Sequence, residues 1–259
     1  MNQTNSLRKR ILNKETVYGT FYKLNCPDVA EMIGNAQFDF IIIDTEHANF
    51  SPYDTANIIR ASDSAGLSSI VRVRAATDED VLHALDSGAD GVQIPSITSM
   101  ETAKSVCRSA KYFPEGGRGL SMTQRSAMYG AWNKEQNYYS YANENSLVVV
   151  HVENCEMAAQ VDELCDIPQI DVVFVGPGDL SQSLGKPGQL NDPEVVALVE
   201  LVIQKVLAKG KVAGVFCGNM ASVEHYRKLG VTYIAYSSDT SIVANAINSL
   251  KKDLDNLKL

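Results

Sequence analysis

Two acidic residues follow apolar runs of the kind that form buried strands. Glu153 closes a run that begins at Leu147, and Asp179 follows Val172–Val175 after a Gly-Pro-Gly turn. If both runs are parallel strands, their carboxyl ends meet at one rim, where two carboxylates can share Mg²⁺ or Mn²⁺. Such ions complete their coordination with substrate oxygens and water. Taken singly, Glu153 also suits a buried pair with an arginine, and Asp179 suits a helix N-cap.

Two further reactive side chains are associated with other apolar runs. His47 ends the segment Asp44-Thr-Glu-His, which directly follows the run Ile41–Ile43. It is a candidate general base, with a hydrogen-bonded structural histidine as the alternative. Arg72 lies inside Ile70–Arg74, where a guanidinium is costly unless it faces a carboxylate or a developing oxyanion. A purely structural ion pair remains the alternative for Arg72.

Eight predicted strands alternate with predicted helices along the chain, among them a helix over Glu156–Cys165 and a last helix from Ser241 to about Leu250. The strands span Val17–Lys23, Phe38–Asp44, Ser69–Arg74, Gly91–Pro95, Leu147–Glu153, Val172–Gly176, Val212–Cys217 and Tyr233–Ser237. No linker or low-complexity run divides them. The pattern therefore predicts an α/β protein with a single (β/α)₈ TIM barrel domain over residues 1–259, in preference to a doubly wound sheet. The candidate residues above fall at strand ends, which is the rim where barrel enzymes place their chemistry.

A long insertion between Tyr112 and Asn145 interrupts the alternation. It is rich in Gly, Tyr and Ser, and its pattern predicts a helix over Ser126–Tyr141. Long excursions in compact domains are usually lids or interfaces, so its aromatic residues suggest either a subunit contact or a solvent-facing lid. These residues are Tyr129, Trp132, Tyr138, Tyr139 and Tyr141.

The composition restricts the partners of the protein. Its 259 residues carry a formal net charge of -8, which argues against nucleic acid but allows a small anionic substrate. No run approaches the roughly 18 apolar residues of a membrane helix, so no membrane partner is expected. The polar, basic N-terminus lacks a signal-peptide core, and the cysteines form no C-x-x-C pair. Together these features predict a cytoplasmic protein with reduced thiols.

Several motifs resemble those of the HpcH/HpaI family of metal-dependent pyruvate-type aldolases. They are Phe38–His47, Val71-Arg72, Leu85–Pro95, Arg118-Gly119, Val152-Glu153 and Val173–Ser181. The resemblance spans nearly the whole chain. It implies a barrel whose last helix packs on a neighbouring subunit, in a homo-oligomer that is either a dimer or a hexamer.

By position, the resemblance implies a role for each of five residues. Glu153 and Asp179 would bind the divalent metal, and Arg72 would steady the keto or enolate oxygen. His47, paired with Asp86, would manage the proton. The turn that precedes Asp179 would contribute to substrate binding, through Gly176, Pro177 and Gly178.

The chain departs from the aldolase pattern in its charge. Lys23 stands where a small or neutral residue is typical, and His151 replaces the glutamine usual two positions before Glu153. His151 and Glu153 face the same side of their strand, so His151 is a substrate-binding candidate and either a third metal ligand or a second proton carrier. Whether the metal is strictly required therefore stays open. The added charge suits oxaloacetate, whose distal carboxylate Lys23 or Arg125 would hold.

This pattern resembles the branch of the family that makes citrate for siderophore assembly. The expected reaction condenses oxaloacetate with acetyl-CoA, as co-substrate, to give citrate and CoA. One alternative is a true class II pyruvate aldolase, in which the metal-bound keto acid attacks an aldehyde. The other is a non-catalytic barrel that serves as a binding or regulatory subunit.

Overall fold

Eight parallel strands form a closed barrel in the computed structural model, which describes residues 6–133 and 135–257. Each strand pairs with the next in chain order, and β8 closes on β1. The strands are β1 (Val17–Tyr22), β2 (Phe40–Asp44), β3 (Ser68–Arg72), β4 (Gly91–Ile94), β5 (Leu147–Val152), β6 (Val172–Val175), β7 (Val212–Cys217) and β8 (Tyr233–Ser238). The predicted (β/α)₈ TIM barrel is confirmed.

Helices surround the barrel, except that the first of them packs Leu7 and Ile11 against the interior cluster of apolar side chains. They are α1 (Leu7–Leu12), α2 (Pro27–Asn35), α3 (Pro52–Ser64), α4 (Asp78–Asp86), α5 (Met100–Ser109), α6 (Tyr138–Asn145), α7 (Cys155–Ala159), α8 (Val161–Cys165), α9 (Pro177–Ser183), α10 (Pro193–Ala208), α11 (Met220–Lys228) and α12 (Asp239–Asn256). Most of them begin at a residue whose side chain accepts a backbone N–H of the first turn, as Ser51 does for α3. Among the described residues, no helix is both long and apolar enough to span a membrane.

Alternate residues of each strand face the barrel interior and the surrounding helices. On β2, Phe40 and Ile42 belong to the interior cluster, whereas Ile41 and Ile43 pack under the helices. All four side chains are fully buried. Burial on both faces explains why the strands read as continuous apolar runs.

The barrel interior becomes polar at the carboxyl ends of four neighbouring strands. By the same alternation, Asp44 on β2, Arg72 on β3, Gln93 on β4 and His151 on β5 point inward above the apolar layers. All four are buried. Since buried polar groups require hydrogen-bond partners, these residues must satisfy one another, and the functional site is built on them.

Glycines on the strands make room for aromatic rings in the interior. The Phe40 and Tyr233 rings stack with centroids 4.4 Å apart. A Cβ atom on Gly19 would overlap the Phe40 ring, and one on Gly214 would lie 2.8 Å from Tyr233. The lower barrel is therefore a tightly packed core with no space for added atoms.

The insertion differs from its prediction. The helix expected over Ser126–Tyr141 is wrong: a 3₁₀ turn spans Arg125–Gly130, and α6 begins only after Asn137, whose side chain caps it. Met128 and Tyr129 adopt positive φ angles of 54°, which interrupt a helix. Trp132 and three of the tyrosines pack together in an aromatic cluster, while Tyr129 stays exposed.

The position of the insertion also bears on its role. It joins the end of α5 to the start of β5, which places it at the amino-terminal end of the barrel. The strands' carboxyl ends lie at the opposite end. The interpretation as a lid over this chain's own rim is therefore wrong.

Three helical segments differ from the pattern-based boundaries. The helix α9 was not predicted, although Pro177 is well suited to the first position of a helix. The helix expected over Glu156–Cys165 divides at Gln160 into α7 and α8. The last helix, expected to end near Leu250, continues to Asn256.

The close approach at Gly19 yields a stability prediction. Gly19→Ala forces a methyl group against Phe40, which Tyr233 holds from its other face, so we expect a loss of about 1–3 kcal/mol. Urea unfolding monitored by circular dichroism measures it. The control Gly117→Ala adds a methyl group where no atom lies within 4 Å, and it should not destabilise the protein. Equal unfolding midpoints for Gly19→Ala and wild type would contradict the packing described.

Candidate active site

Arg72 is the centre of the polar layer. Its Nε and Nη2 atoms donate to the two carboxylate oxygens of Asp44 at 2.9 and 2.6 Å. Its Nη1 atom lies 2.9 Å from Oε2 of Glu46, and its guanidinium carbon lies 4.9 Å from the Phe21 ring centroid. Two charge-assisted bonds in a fork hold the guanidinium in one orientation.

Asp44 balances two cations at the rim. In addition to Arg72, the Lys23 Nζ atom lies 3.2 Å from Oδ2 of Asp44, and the His47 backbone N–H donates to Oδ1. Burial opposes ionisation of this carboxyl, but the hydrogen bonds and charge of Arg72 outweigh it and hold the pKa of Asp44 below its usual value. Asp44 is therefore an anion, and it holds Lys23 and Arg72 on the same side of the mouth.

The backbone beside Lys23 is fixed by an acid from the last strand's end. The Asp239 carboxylate accepts the backbone N–H groups of Lys23 and Leu24 at 2.8–3.0 Å. Asp239 is itself only 2% exposed. Because both N–H groups are held, the segment after β1 presents Lys23 at the rim, as the sequence predicts.

Glu153 is held on both oxygens. His151 Nδ1 lies 2.8 Å from Oε2, and the Ser96 backbone N–H donates to Oε1 at 2.5 Å. Burial would raise the pKa of Glu153, but the hydrogen bonds from His151 and from the Ser96 N–H hold it at about 2. Ser96 has a φ of 55°, a conformation that is costly for a residue other than glycine and that typically occurs at functional sites.

Glu46 lies near Glu153, but its pKa is shifted in the opposite direction. Burial raises the pKa of Glu46, Arg72 opposes the rise, and the Glu153 carboxylate adds to it. The two neighbouring carboxyls therefore protonate at different pH values, which is the arrangement that separates acid and base roles in many active sites.

Asp179 and Glu153 flank the bare backbone of Gly176. A Cβ atom built on Gly176 would lie 3.6 Å from Oδ2 of Asp179 and 3.8 Å from Oε2 of Glu153. The missing side chain thus leaves room between two carboxylates. Within residues 6–133 and 135–257, no group of three or more His, Cys, Asp or Glu side chains forms a complete metal cage. The pair suits a hard cation that takes its remaining ligands from substrate and water.

The structure does not pair His47 with Asp86 inside one chain. The His47 side chain is 58% exposed, with Nε2 3.7 Å from Oε2 of Glu46. Asp86 ends α4, a nine-residue helix that runs about 13 Å back from the rim, and its carboxylate pairs with Arg118. The helix direction carries Asp86 to the other end of the barrel, so one chain does not by itself form the predicted dyad.

Arg125 is also misplaced by the sequence interpretation. It begins the 3₁₀ turn of the insertion, where it donates to the Ser87 carbonyl and to the Asp63 carboxylate. These groups lie near the amino-terminal ends of the strands. Arg125 therefore does not reach the rim of its own chain to hold a substrate carboxylate.

His151 is enclosed within the barrel. Its Nε2 lies 2.7 Å from Nε2 of Gln93, and its Nδ1 contacts Glu153. The ring is 3% exposed and stacks on Phe174 at 5.0 Å. Because both ring nitrogens are engaged within the barrel, the geometry favours His151 as an internal partner of Glu153 over a third metal ligand or a substrate contact.

Sequence reasoning missed two contributors to the site, Gln93 and the Ser96 backbone, which bond to His151 and Glu153. It placed Glu46 beside His47 at the end of a strand, but it did not predict the ion pair of Glu46 with Arg72. Gln93 alone had a visible signal, since a polar amide inside the apolar strand β4 must find a partner. No sequence signal marked the Ser96 N–H, because the direction of this group depends on the φ angle of Ser96.

Charged side chains that converge at the carboxyl ends of the strands define an enzyme of the barrel class. The family model described as HpcH/HpaI aldolase/citrate lyase matches residues 17–246, and the chain belongs to this family. The resemblance seen in the motifs is thereby confirmed, as is the expectation of an enzyme fold with aldolase or lyase relatives.

The named relatives include both an aldolase and a citrate synthase. The chain is 31% identical to the 5-keto-4-deoxy-D-glucarate aldolase of Enterobacter sp. (strain 638), over 95% of each chain. A solved HpcH/HpaI aldolase/citrate lyase family protein from Burkholderia cenocepacia J2315 superposes with a TM-score of 0.91 at 31% identity, covering 97% of this chain and 100% of that one. The citrate synthase SbnG superposes with a TM-score of 0.87 at 29% identity, covering 97% and 98%.

The low pKa of Glu153 predicts an acid-dependent loss of stability. Between its folded value of about 2 and its ordinary value of 4.5, the unfolded chain binds more protons than the folded chain. The free energy of unfolding therefore falls as the pH drops through this window, by on the order of 3 kcal/mol. Glu153→Gln should remove this share of the fall.

Urea unfolding at intervals from pH 6 to pH 3, in EDTA, measures the slope. The control Glu101→Gln changes an exposed carboxyl on α5 and should keep the wild-type slope. A Glu153→Gln variant that loses stability as steeply as wild type would show that this carboxylate is not held as described.

Proposed function

We propose that this protein condenses oxaloacetate with acetyl-CoA to give citrate and CoA, for siderophore assembly in the cytoplasm. The observation that carries the proposal is the pair of cations, Lys23 and Arg72, gathered by Asp44 beside the two acids at Gly176. A keto acid with two carboxylates matches this charge better than pyruvate does. The similarity to the citrate synthase SbnG supports the same choice.

A divalent cation fits between Glu153 and Asp179. Glu153 stays ionised at neutral pH, and the absent side chain at Gly176 keeps the intervening space open. The resemblance of the motifs to those of metal-dependent aldolases implies the same dependence here. When bound, Mg²⁺ or Mn²⁺ polarises the keto carbonyl of the substrate as a Lewis acid.

The remaining steps belong to side chains of the rim. His47, exposed beside Glu46, removes a proton from the acetyl methyl group, and the resulting carbanion attacks the keto carbon of oxaloacetate. Arg72 stabilises the alkoxide that forms on the keto oxygen, while the protonated His47 returns its proton to it. Water then hydrolyses the citryl thioester, which releases CoA as a thiol.

Substrate orientation depends on Lys23 and the turn after β6. The Lys23 side chain is 31% exposed, so its ammonium can bind the distal carboxylate of oxaloacetate from the solvent side of Asp44. Gly178 has no neighbouring atom within 4 Å of the position a Cβ atom would occupy. Gly178 thus leaves an open edge for the keto acid, and the buried residues Gly176 and Pro177 line the turn behind it.

A class II pyruvate aldolase is the second candidate. The 31% identity to a 5-keto-4-deoxy-D-glucarate aldolase favours it. In the aldolase reaction Glu153 and Asp179 would hold the metal, and Arg72 would steady the enolate oxygen of pyruvate. In that reaction an aldehyde replaces oxaloacetate as the acceptor. The third interpretation, a non-catalytic barrel subunit, has less support because ionised, oriented groups are concentrated at one rim.

The release of free thiol from acetyl-CoA in the presence of oxaloacetate tests the proposal. We expect turnover in wild type, a fall in EDTA with recovery on adding Mg²⁺, and a 10²- to 10³-fold lower kcat in Arg72→Lys, which cannot keep the fork on Asp44. The control Arg74→Lys changes an arginine that instead bonds the Phe50 carbonyl, and it should keep most of the activity. Thiol release absent from wild type, together with rapid cleavage of a pyruvate aldol, would favour the aldolase.

We also propose that the protein is a homo-oligomer held by α12. Along this helix the apolar residues Val243, Ile247, Leu250 and Leu254 recur at heptad spacing, and all are exposed in the single chain. Such a stripe suits packing against a neighbouring subunit, either in a dimer or in a hexamer.

Light scattering after size-exclusion chromatography tests this assembly. We expect wild type to be larger than one chain, and Ile247→Glu combined with Leu250→Glu to lower the mass by placing charges in the contact. Asn248→Glu adds a charge away from the stripe and serves as the control. A monomeric wild type, or a double variant of unchanged mass, would refute the role of α12.

A further inference from the structure

Four buried or partly buried residues form one line of hydrogen bonds that crosses the barrel. The Tyr233 hydroxyl donates to Oε1 of Gln93 at 3.3 Å, and Nε2 of Gln93 lies 2.7 Å from Nε2 of His151. His151 Nδ1 then meets Oε2 of Glu153 at 2.8 Å. The line begins deep inside the barrel on β8 and ends at the rim.

The chemistry of each partner gives the line a direction. Gln93 uses its carbonyl oxygen to accept from Tyr233, so its amide nitrogen, which can only donate, faces His151. Nε2 of His151 must then be the acceptor and carry no proton. The ring proton of the neutral imidazole therefore lies on Nδ1, from which it donates to Glu153.

Burial makes this arrangement rigid. Tyr233 and Gln93 are 0% exposed, and His151 is 3% exposed. The imidazole stacks on Phe174, with an angle of 24° between the rings, so it cannot turn freely. Because each donor in this buried network has an acceptor, the network fixes the orientation of Glu153.

We propose that His151 is a positioning residue: Tyr233 and Gln93 fix its Nδ1–H tautomer, and this N–H holds the Glu153 carboxylate toward the open space beside Gly176. The inference rests on the proposed function only in taking Glu153 to be a metal ligand. In this inference His151 does not contact the metal; it orients Glu153, which does. Partners of this kind typically change metal affinity by 10- to 100-fold when they are removed.

Metal affinity without substrate is the first test. We expect His151→Ala to raise the Mn²⁺ dissociation constant, measured by electron paramagnetic resonance, by 10- to 100-fold. His151→Gln keeps an N–H donor at this position and should recover most of the affinity. Thr20→Val, at a fully buried strand hydroxyl without a hydrogen-bond partner in the described ranges, is the control and should bind as wild type.

The tautomer itself is the second test, and it does not depend on metal. The chain has four histidines, so ¹⁵N-histidine spectra are simple, and His151→Gln identifies the His151 signals. We expect a protonated Nδ1 and an unprotonated Nε2 in wild type, and loss of this single tautomer in Gln93→Leu. These nitrogen signals report the line of hydrogen bonds even if His151→Ala folds poorly.

The outcomes separate this inference from the proposed function. Normal Mn²⁺ binding by wild type with unchanged affinity in His151→Ala, or a His151 ring protonated at Nε2, overturns the positioning role and leaves the reaction untouched. Absence of Mn²⁺ binding by wild type overturns the metal ligand assignment, for the reaction and for this inference alike. The measured His151 tautomer then still shows whether the Nδ1–H of His151 holds Glu153.

Discussion

The buried ion pair between Asp44 and Arg72 is the interaction on which the mouth of this barrel depends. Both side chains leave water, so each requires the other, and breaking such a pair by removing one partner typically costs about 3–5 kcal/mol. The fork fixes Arg72, and the same carboxylate holds Lys23 at 3.2 Å. Two cations thus lie at the rim that also carries the acids Glu153 and Asp179. A substrate that bridges the proposed divalent cation and Lys23 gains from both.

The strands position this chemistry through their two-residue alternation. Along one strand face, apolar residues such as Phe40 and Ile42 fill the barrel, and the next inward residue is polar. The lower layers are packed so closely that Gly19 cannot accept a methyl group. This rigid floor supports the hydrogen-bonded layer above it, where an error of even 1 Å in a donor's position would weaken the site. The lower layers of the barrel therefore supply stability, and the polar layer at the carboxyl ends of the strands carries the function.

The sequence predicted the parts of the site that follow from periodicity. Apolar runs located the eight strands, and residues at their ends, such as Arg72 and Glu153, do lie at one rim. Residues on helices and in the insertion were harder to place. Asp86 was assigned to the site by resemblance and Arg125 as a partner of the substrate's distal carboxylate, but one lies at the far end of α4 and the other in the insertion, both near the opposite end of the barrel. Hydrogen-bond directions, such as that from Gln93 to His151, depend on side-chain rotamers that no sequence pattern encodes.

Both candidate reactions would use the same rim, and in our proposal the difference between them lies in charge. An aldolase needs the acids and the arginine, whereas condensation with oxaloacetate also uses a cation for the second carboxylate, the place proposed for Lys23. A crystal structure of the protein with Mn²⁺ and oxaloacetate measures this most directly. The account predicts anomalous density for Mn²⁺ between Glu153 and Asp179, with the distal carboxylate of oxaloacetate on Lys23. Manganese bound elsewhere, or a distal carboxylate that points away from Lys23, would contradict it.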